Sequence, residues 1–293
     1  MDSLTHALSI SVILTALGRP DLILFGILGA VAPDIDILFP RFFDDVPRYY
    51  LFTHGGVTHS ICGALVLSGI IAGFVIPAGL LTGFLPAPAP LSVLLVYTAI
   101  LAGSLLHVGL DFLATPGIPV LFPATDRKYT LGIFAGPNLL IMAGTVFYLT
   151  LIILGAVTLA DYVPYAAFFC IVVAVFAVLK GIAAIRNTGL TLPTMNPLHW
   201  YVIHQTPDSF QIGTFSLFGG KGAARIYPRF TGITRQETER FADLPELKRL
   251  RYHSYIVTAE RSGESVTFRD PFREDGFLWY PPQYKRLEIA LPA

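Results

Sequence analysis

Charge is what this sequence has least of. Lysine, arginine, aspartate and glutamate make up 14% of its 293 residues against 54% hydrophobic, and the mean hydropathy is +0.63. Soluble domains carry about 25% charged residues, so this chain has too little polar surface to form one water-soluble globule. An excess of either sign is also missing, with 20 basic and 20 acidic residues and a pI near 7.1. Nucleic-acid binders normally show a basic excess, and no nucleic-acid partner is expected. Cysteine is nearly absent: Cys62 and Cys170 both sit in apolar runs, which excludes a disulfide framework and a cysteine zinc site. Glutamate does not occur at all before residue 190, where the sixteen charges are seven basic residues and nine aspartates; the other 24 crowd into the last 103 residues. The composition thus divides the chain into a membrane region over 1–188 and a soluble domain over 189–293, joined by the Gly- and Pro-containing stretch Asn187–Pro197.

Apolar runs are abundant. A helix crosses a bilayer with about 20 mostly apolar residues, and Val57–Leu85, Leu91–Ala114, Ile133–Leu159 and Val163–Ile185 meet that length. Ser3–Leu17 and Asp21–Phe39 are shorter and form a hairpin around Gly18-Arg19-Pro20. The expected fold is therefore an all-α membrane bundle of about six transmembrane helices followed by a small, mostly-β soluble domain. The leading segment has no basic n-region and carries Asp2 and His6, so it is read as mature structure and not as a signal peptide. The only low-complexity tract is Pro86–Pro90.

Beyond residue 190, polar residues alternate with aromatic or β-branched ones over Trp200–Ile203, Phe210–Ser216, Arg251–Ala259, Ser265–Phe268 and Phe277–Trp279. Turn sequences separate them at Thr206–Ser209 and Arg261–Glu264, the pattern of antiparallel strands and hairpins. Thr234–Lys248, acidic early and basic late, reads as one amphipathic helix. His199, His204 and His253 lack ligand spacing and are read as strand histidines, and Trp200 and Trp279 as core or interface anchors.

An ionisable group inside a membrane segment costs at least about 2.5–3.5 kcal/mol at a helix centre, which makes each one a candidate for function. The candidates singled out here are His6, Asp34, Asp36, His54, His59, His107 and Asp111, all of them competent metal ligands. His107 and Asp111 are four apart and share a helix face. Asp34 and Asp36 follow Pro33 as a D-x-D pair able to fan around one ion, and His54 and His59 flank Gly55-Gly56, which permits close backbone approach. Imidazole mixed with carboxylate suits Zn2+ or Mn2+ better than calcium. The seven also fall at the start, end, start and end of successive antiparallel segments, so one membrane face can collect them all. Loops on that face hold Arg41, Arg48, Arg127, Lys128 and Arg186 against Arg19 opposite, which places it in the cytoplasm by the positive-inside rule, with the C-terminal domain on the same side. A competing account exists for each residue. A lone membrane histidine commonly serves as a helix–helix hydrogen-bond donor. Asp2, Asp21, Asp44, Asp45, Asp126 and Asp161 read as caps or loop residues, Asp44 and Asp45 forming a solvated face with Arg41 and Arg48. Tyr129, Asn138 and Thr58 lie near the mouth without an assigned role.

The segments Met1–Leu8, Ala32–Asp36, Thr53–Ser60 and Leu106–Pro116, with their D-S-L-T-H, P-D-x-D, H-G-G-x-T-H-S and H-x-x-x-D-x-x-x-x-P-G patterns, resemble the YdjM-like or YfhP-like family of inner-membrane metal-dependent hydrolases, some of them called LexA-regulated or LexA-binding. The resemblance covers about the first 120 residues, and Thr194–Val202 looks like the start of the tail of longer members. It implies a hydrolase whose His/Asp set is similar in kind to that of zinc phospholipases C, with all seven residues as ligands. Many relatives have arginine after the first histidine of the third pattern; here it is Gly55, so Arg41, Arg48, Arg127 or Lys128 would have to contact any phosphate.

These readings converge on a multi-pass inner-membrane protein that binds a divalent metal, Zn2+ or Mn2+, and hydrolyses an ester or phosphoester, a lipid one included, by metal-activated water. Seven donors exceed one tetrahedral zinc, so there are two metals, or one of Asp34, Asp36 and Asp111 is a general base. The alternatives are a metal or proton transporter, and a membrane-anchored adaptor whose C-terminal domain binds a protein partner while the metal is structural.

Overall fold

The computed structural model describes residues 1–83, 90–278 and 284–291. Pro86–Ala89 and Trp279 lie outside them. The chain divides into two compact units, Met1–Pro40 with Leu51–Val178, and Arg41–Tyr50 with Leu179–Ala293. Composition changes near residue 188, whereas packing changes inside the last membrane helix and takes the loop 41–50 into the second unit.

In the first unit, α1 (Ser3–Ala16) opens on Asp2, whose carboxylate caps it by accepting from the Thr5 N–H at 3.0 Å. Gly18, at φ +69°, ends that helix, and the chain turns back through a 3-10 turn into α2 (Ile23–Val31). Pro33 cannot donate to an α-helical ladder, and Ala32–Leu38 continues as 3-10 helix up to the short α3 (Pro40–Phe43). α4 (Ile61–Leu81), capped by Ser60, and α5 (Pro90–Asp111) follow. The two-residue strands β1 (Ala114–Thr115) and β2 (Phe134–Ala135) pair in parallel before α6 (Leu139–Ile153) and α7 (Val163–Arg186).

Among the described residues, four helical stretches are long and apolar enough to cross a membrane: Pro20–Phe43, Ile61–Leu81, Ser92–Asp111 and Leu159–Arg186. This corrects the expected six. α1 and α6 have 14 and 15 residues, about 21–23 Å at 1.5 Å per residue against a hydrocarbon core of about 30 Å. Ile133–Leu159 contains enough apolar residues, but β2 and Gly136, at φ +75°, occupy its first turn's length, and Asn138 caps α6 from outside. Gly155, at φ +69°, terminates its far end.

The core of this unit is Ile10, Leu14, Phe25, Val96 and Ile100, from α1, α2 and α5. α2 and α5 touch backbone to backbone. A Cβ on Gly29 would lie 1.8 Å from the Ile100 carbonyl oxygen, and one on Gly103 would lie 2.1 Å from that of Gly26. Small residues bring membrane helices together in this way, and Ser104 then donates to the Gly29 carbonyl at 3.0 Å.

Among its described residues, the second unit contains two four-stranded sheets. β3 (Leu190–Pro193), β4 (His199–Gln205), β5 (Ser209–Ser216) and β6 (Gly220–Pro228) form an antiparallel meander in chain order. The other sheet runs β7 (Phe230–Thr231), β8 (Thr258–Ser262), β9 (Ser265–Arg269) and, at its far edge, β10 (Arg286–Ala290), with only β7 and β8 parallel. The expected single helix is two, α8 (Arg235–Glu239) and α9 (Pro245–His253), because Pro245 can start a helix but not continue one. A short α10 (Pro271–Glu274) follows β9. Arg251–His253 therefore ends a helix instead of opening a strand, which also removes His253 from the strand histidines; Phe277 and Leu278 are in no strand. Trp200 is buried in the core with Ala183, Val202 and Phe215.

Asp44 is not on a solvated face. Its carboxylate accepts from the Tyr284 hydroxyl, and its carbonyl accepts from Arg249 at 2.5 Å. The Arg249 guanidinium lies 5.3 Å from the Tyr284 ring centre, His253 stacks on that ring at 4.1 Å, and Tyr50 meets Tyr252 edge-on at 5.4 Å. The loop 41–50 is thus strapped to α9 and to the residue preceding β10's approach.

Candidate metal centre

All seven ionisable residues come together within the first unit. His6 comes from the first turn of α1, Asp34 and Asp36 from the 3-10 segment, His59 from the turn Val57–His59, and His107 and Asp111 from the last turns of α5; His54 lies in the loop before that turn. His6, His59, His107 and Asp36 are completely buried. The His54 side chain is 41% exposed and forms the most open part of the group.

Hydrogen bonds fix the rings. The Nδ1 of His107 donates to the Ala30 carbonyl at 2.6 Å, a contact that depends on the close crossing of α2 and α5. His59 Nδ1 lies 3.0 Å from Asp36 Oδ2. With each Nδ1 carrying its hydrogen, both Nε2 lone pairs point inward, and they face each other at 3.1 Å. Two lone pairs at that distance repel unless a cation lies between them. Asp34 Oδ1 is 3.7 Å from His59 Nε2 and 3.5 Å from His107 Nε2; Asp111 Oδ2 is 3.3 and 3.5 Å from the same two atoms. Tetrahedral metal–ligand bonds of about 2.0–2.1 Å put neighbouring donors about 3.3 Å apart, close to each of these five separations. The two carboxylates also carry the −2 that balances a divalent ion. The residues fit a metal.

Asp36 plays a different part from Asp34. Two residues apart on a 3-10 helix, the carboxylates do not fan around one point; they sit at opposite nitrogens of the His59 ring. Asp36 accepts from His54 Nδ1 at 2.8 Å, from the Gly55 N–H at 3.2 Å and from the Thr58 hydroxyl. Gly55, at φ +73°, makes the turn that presents this N–H, and a Cβ on Gly56 would meet the Leu51 carbonyl oxygen at 1.9 Å. Asp36, His54 and His59 still form a second set able to hold an ion, and His6, His107 and Asp111 a third, the donor atoms of each lying within 4.8 Å of one another. His6 Nε2 is 3.2 Å from Asp111 Oδ1, and its ring stacks on His107 at 3.7 Å. Both His6 ring nitrogens are buried without a well-aligned hydrogen bond.

Burial alone would lower the pKa of His59. The hydrogen bonds it makes with Asp111, Asp34 and Asp36 override that and hold it well above its ordinary value.

Three contributors escape a reading based on titratable residues. The Ser3 hydroxyl donates to Asp34, Thr58 bridges Asp36 and His59, and the Ala30 carbonyl orients His107. Ser3 and Thr58 lie inside the D-S-L-T-H and T-H-S patterns, which is the signal that could have revealed them; a carbonyl carries no sequence signal. The amine of Met1 is ion-paired with Asp111. Asn138 belongs to the cap of α6 and Asp161 to a capping box. Arg48 lies 4.9 Å from the Tyr49 ring centre and donates to the Tyr49 hydroxyl at 3.1 Å.

Membrane-length helices whose ends converge on a buried His/Asp cluster define a polytopic membrane protein, and such a chain associates with the lipid bilayer. A family model for the YdjM inner membrane protein matches residues 1–188, and the chain belongs to that family. No curated protein and no solved structure matches it.

Proposed function

We propose that this protein is a metal-dependent hydrolase of an ester or phosphoester presented at the bilayer surface. The observation that carries this reading is the facing pair His59 Nε2 and His107 Nε2, 3.1 Å apart, with Asp34 Oδ1 and Asp111 Oδ2 each within 3.7 Å of both nitrogens and together contributing a −2 charge. These four residues would hold the ion, with His6 and the Asp36/His54 set beside it for a second. A bound Zn2+ or Mn2+ supplies a Lewis acid for the scissile group and lowers the pKa of water to near 7.

The protein's own groups do the rest. Asp36, fully occupied by donors, keeps His59 in one tautomer, and Ala30 does the same for His107. A carboxylate of the centre takes the proton as the water oxygen bonds to the carbonyl carbon or phosphorus. That proton ends on the leaving oxygen as its bond breaks, so one water is consumed and an acid and an alcohol leave. His54 marks the solvent-facing entrance. The excess of Arg41, Arg48, Arg127 and Lys128 on the site's side supports a cytoplasmic orientation.

Elemental analysis of the purified protein is expected to find at least one equivalent of metal, and His107→Ala to lose it, together with turnover of ester or phosphodiester substrates. Metal-free wild-type protein, or metal content indifferent to His107→Ala and Asp34→Ala, overturns the reading. Uptake of metal into vesicles without any hydrolysis would replace it by transport.

A further inference from the structure

An apolar groove of about 620 Å³ lies between the start of α1 and the middle of α6, walled by Leu4, Met142, Ala143, Val146 and Phe147. That volume is typical of a small-molecule site. The few polar groups on its walls are already engaged. Asp2 accepts from the Thr5 N–H and hydroxyl, and the Thr150 hydroxyl donates to the Val146 carbonyl at 2.8 Å. A hydrophilic ligand would find nothing there to replace its hydration. Ser3 also lines the groove, and its hydroxyl donates to Asp34 of the candidate metal centre. The groove is therefore mostly apolar, and at Ser3 it lies one hydrogen bond away from the centre's carboxylate.

Its flanking helices are also the two that are too short to span the hydrocarbon, with 14 and 15 residues. A short helix makes the adjoining bilayer thin, which draws lipid headgroups inward beside it. Leu4, Val146 and Phe147 are 52%, 46% and 65% exposed, continuing this groove into the bilayer-facing surface.

We infer that the groove holds one acyl chain of a bilayer lipid and delivers the ester or phosphoester at the head of that chain past Ser3 to Asp34. This rests on the hydrolase reading for the chemistry but not for the binding. It assigns the substrate class: a lipid extracted sideways from the membrane, not a soluble ester.

The test uses full-length protein in phosphatidylcholine vesicles doped with a phospholipid carrying a diazirine on its acyl chain. Irradiation is expected to label Leu4, Met142 and Phe147 at least about fivefold more than Phe74, which is 75% exposed on α4; labelling in proportion to exposure overturns the inference. Ala143→Trp, which fills the groove from an exposed position, is expected to abolish that enrichment. It is also expected to lower the ratio of long-chain to short-chain ester turnover about tenfold, whereas Phe74→Trp leaves the ratio as it was. A ratio unmoved by Ala143→Trp in protein that still turns over esters overturns the groove and leaves the hydrolase standing. Enriched labelling in a protein that turns over no ester overturns the hydrolase and leaves the groove standing.

Discussion

At the scale of single residues, the centre separates groups placed to meet a metal from groups that hold those groups in place. Asp34 and Asp111 present oxygens inward, and Asp36 spends its lone pairs on His54, Gly55, Thr58 and His59. Removing an outer partner of a ligating histidine typically costs 10–100-fold in affinity. Asp36→Asn is therefore expected to weaken metal binding by about that factor, whereas His107→Ala abolishes it; titration of metal-free protein followed by calorimetry distinguishes them. His59 supplies a pH dependence with a definite sign. Its folded-state pKa is raised, so the ion pairs of the protonated ring stabilise the metal-free protein fully below the ordinary histidine value of about 6.5, and that stabilisation fades as pH rises through the folded value. Metal must displace the same proton. Affinity is thus expected to rise with pH, and uptake at neutral pH to release a proton, detectable as a buffer-dependent binding enthalpy. Equal enthalpy in phosphate and Tris would count against a protonated His59.

At the scale of elements, the centre depends on how closely α2 and α5 cross. Gly29→Ala would press a methyl carbon onto the Ile100 backbone, and overpacking of this kind costs about 1–3 kcal/mol. The displacement is also expected to break the Ala30–His107 bond and lower metal content. Gly69→Ala, on α4 with open space around it, is the matched control; it should leave the melting temperature the same or higher, since alanine favours helix by about 1 kcal/mol. The residues that make the centre were legible in the sequence because carboxylates and histidines stand out in apolar runs and recur at alternating segment ends. The division of labour between Asp34 and Asp36 was not, because it depends on the 3-10 winding that Pro33 imposes and on which ring nitrogen each carboxylate reaches. The number of spans was overread for a related reason. Composition over Ile133–Leu159 is apolar throughout, yet Gly136 and Gly155 spend part of that length in turns. In the second unit, alternation located β4, β5 and β9, while Gly220–Pro228, mostly exposed along its whole length, has no alternation to read and forms β6 all the same.

At the scale of the whole chain, the loop between the D-x-D pair and His54 is held by residues from the C-terminal part of the sequence. Asp44→Ala combined with Tyr284→Phe removes that hold without touching a ligand. Limited proteolysis is then expected to cut within 41–50 several times faster than in the wild type, and the metal to dissociate faster, because the segments bearing Asp36 and His54 are joined by the released loop. An unchanged cleavage pattern would show that the loop keeps its place by other means. Sequence reasoning had no access to this contact, since its partners are 205 and 240 positions apart and no periodicity spans such a distance. The strap also has a bearing on biosynthesis. At about 5–20 residues per second, a ribosome needs roughly 10–40 s to travel from Asp44 to Arg249. During that time the helices bearing Asp34, Asp36, His59 and His107 can already be in the bilayer while the loop between the two motifs waits for its anchor. The last part of the chain to be synthesised thus completes one of the first.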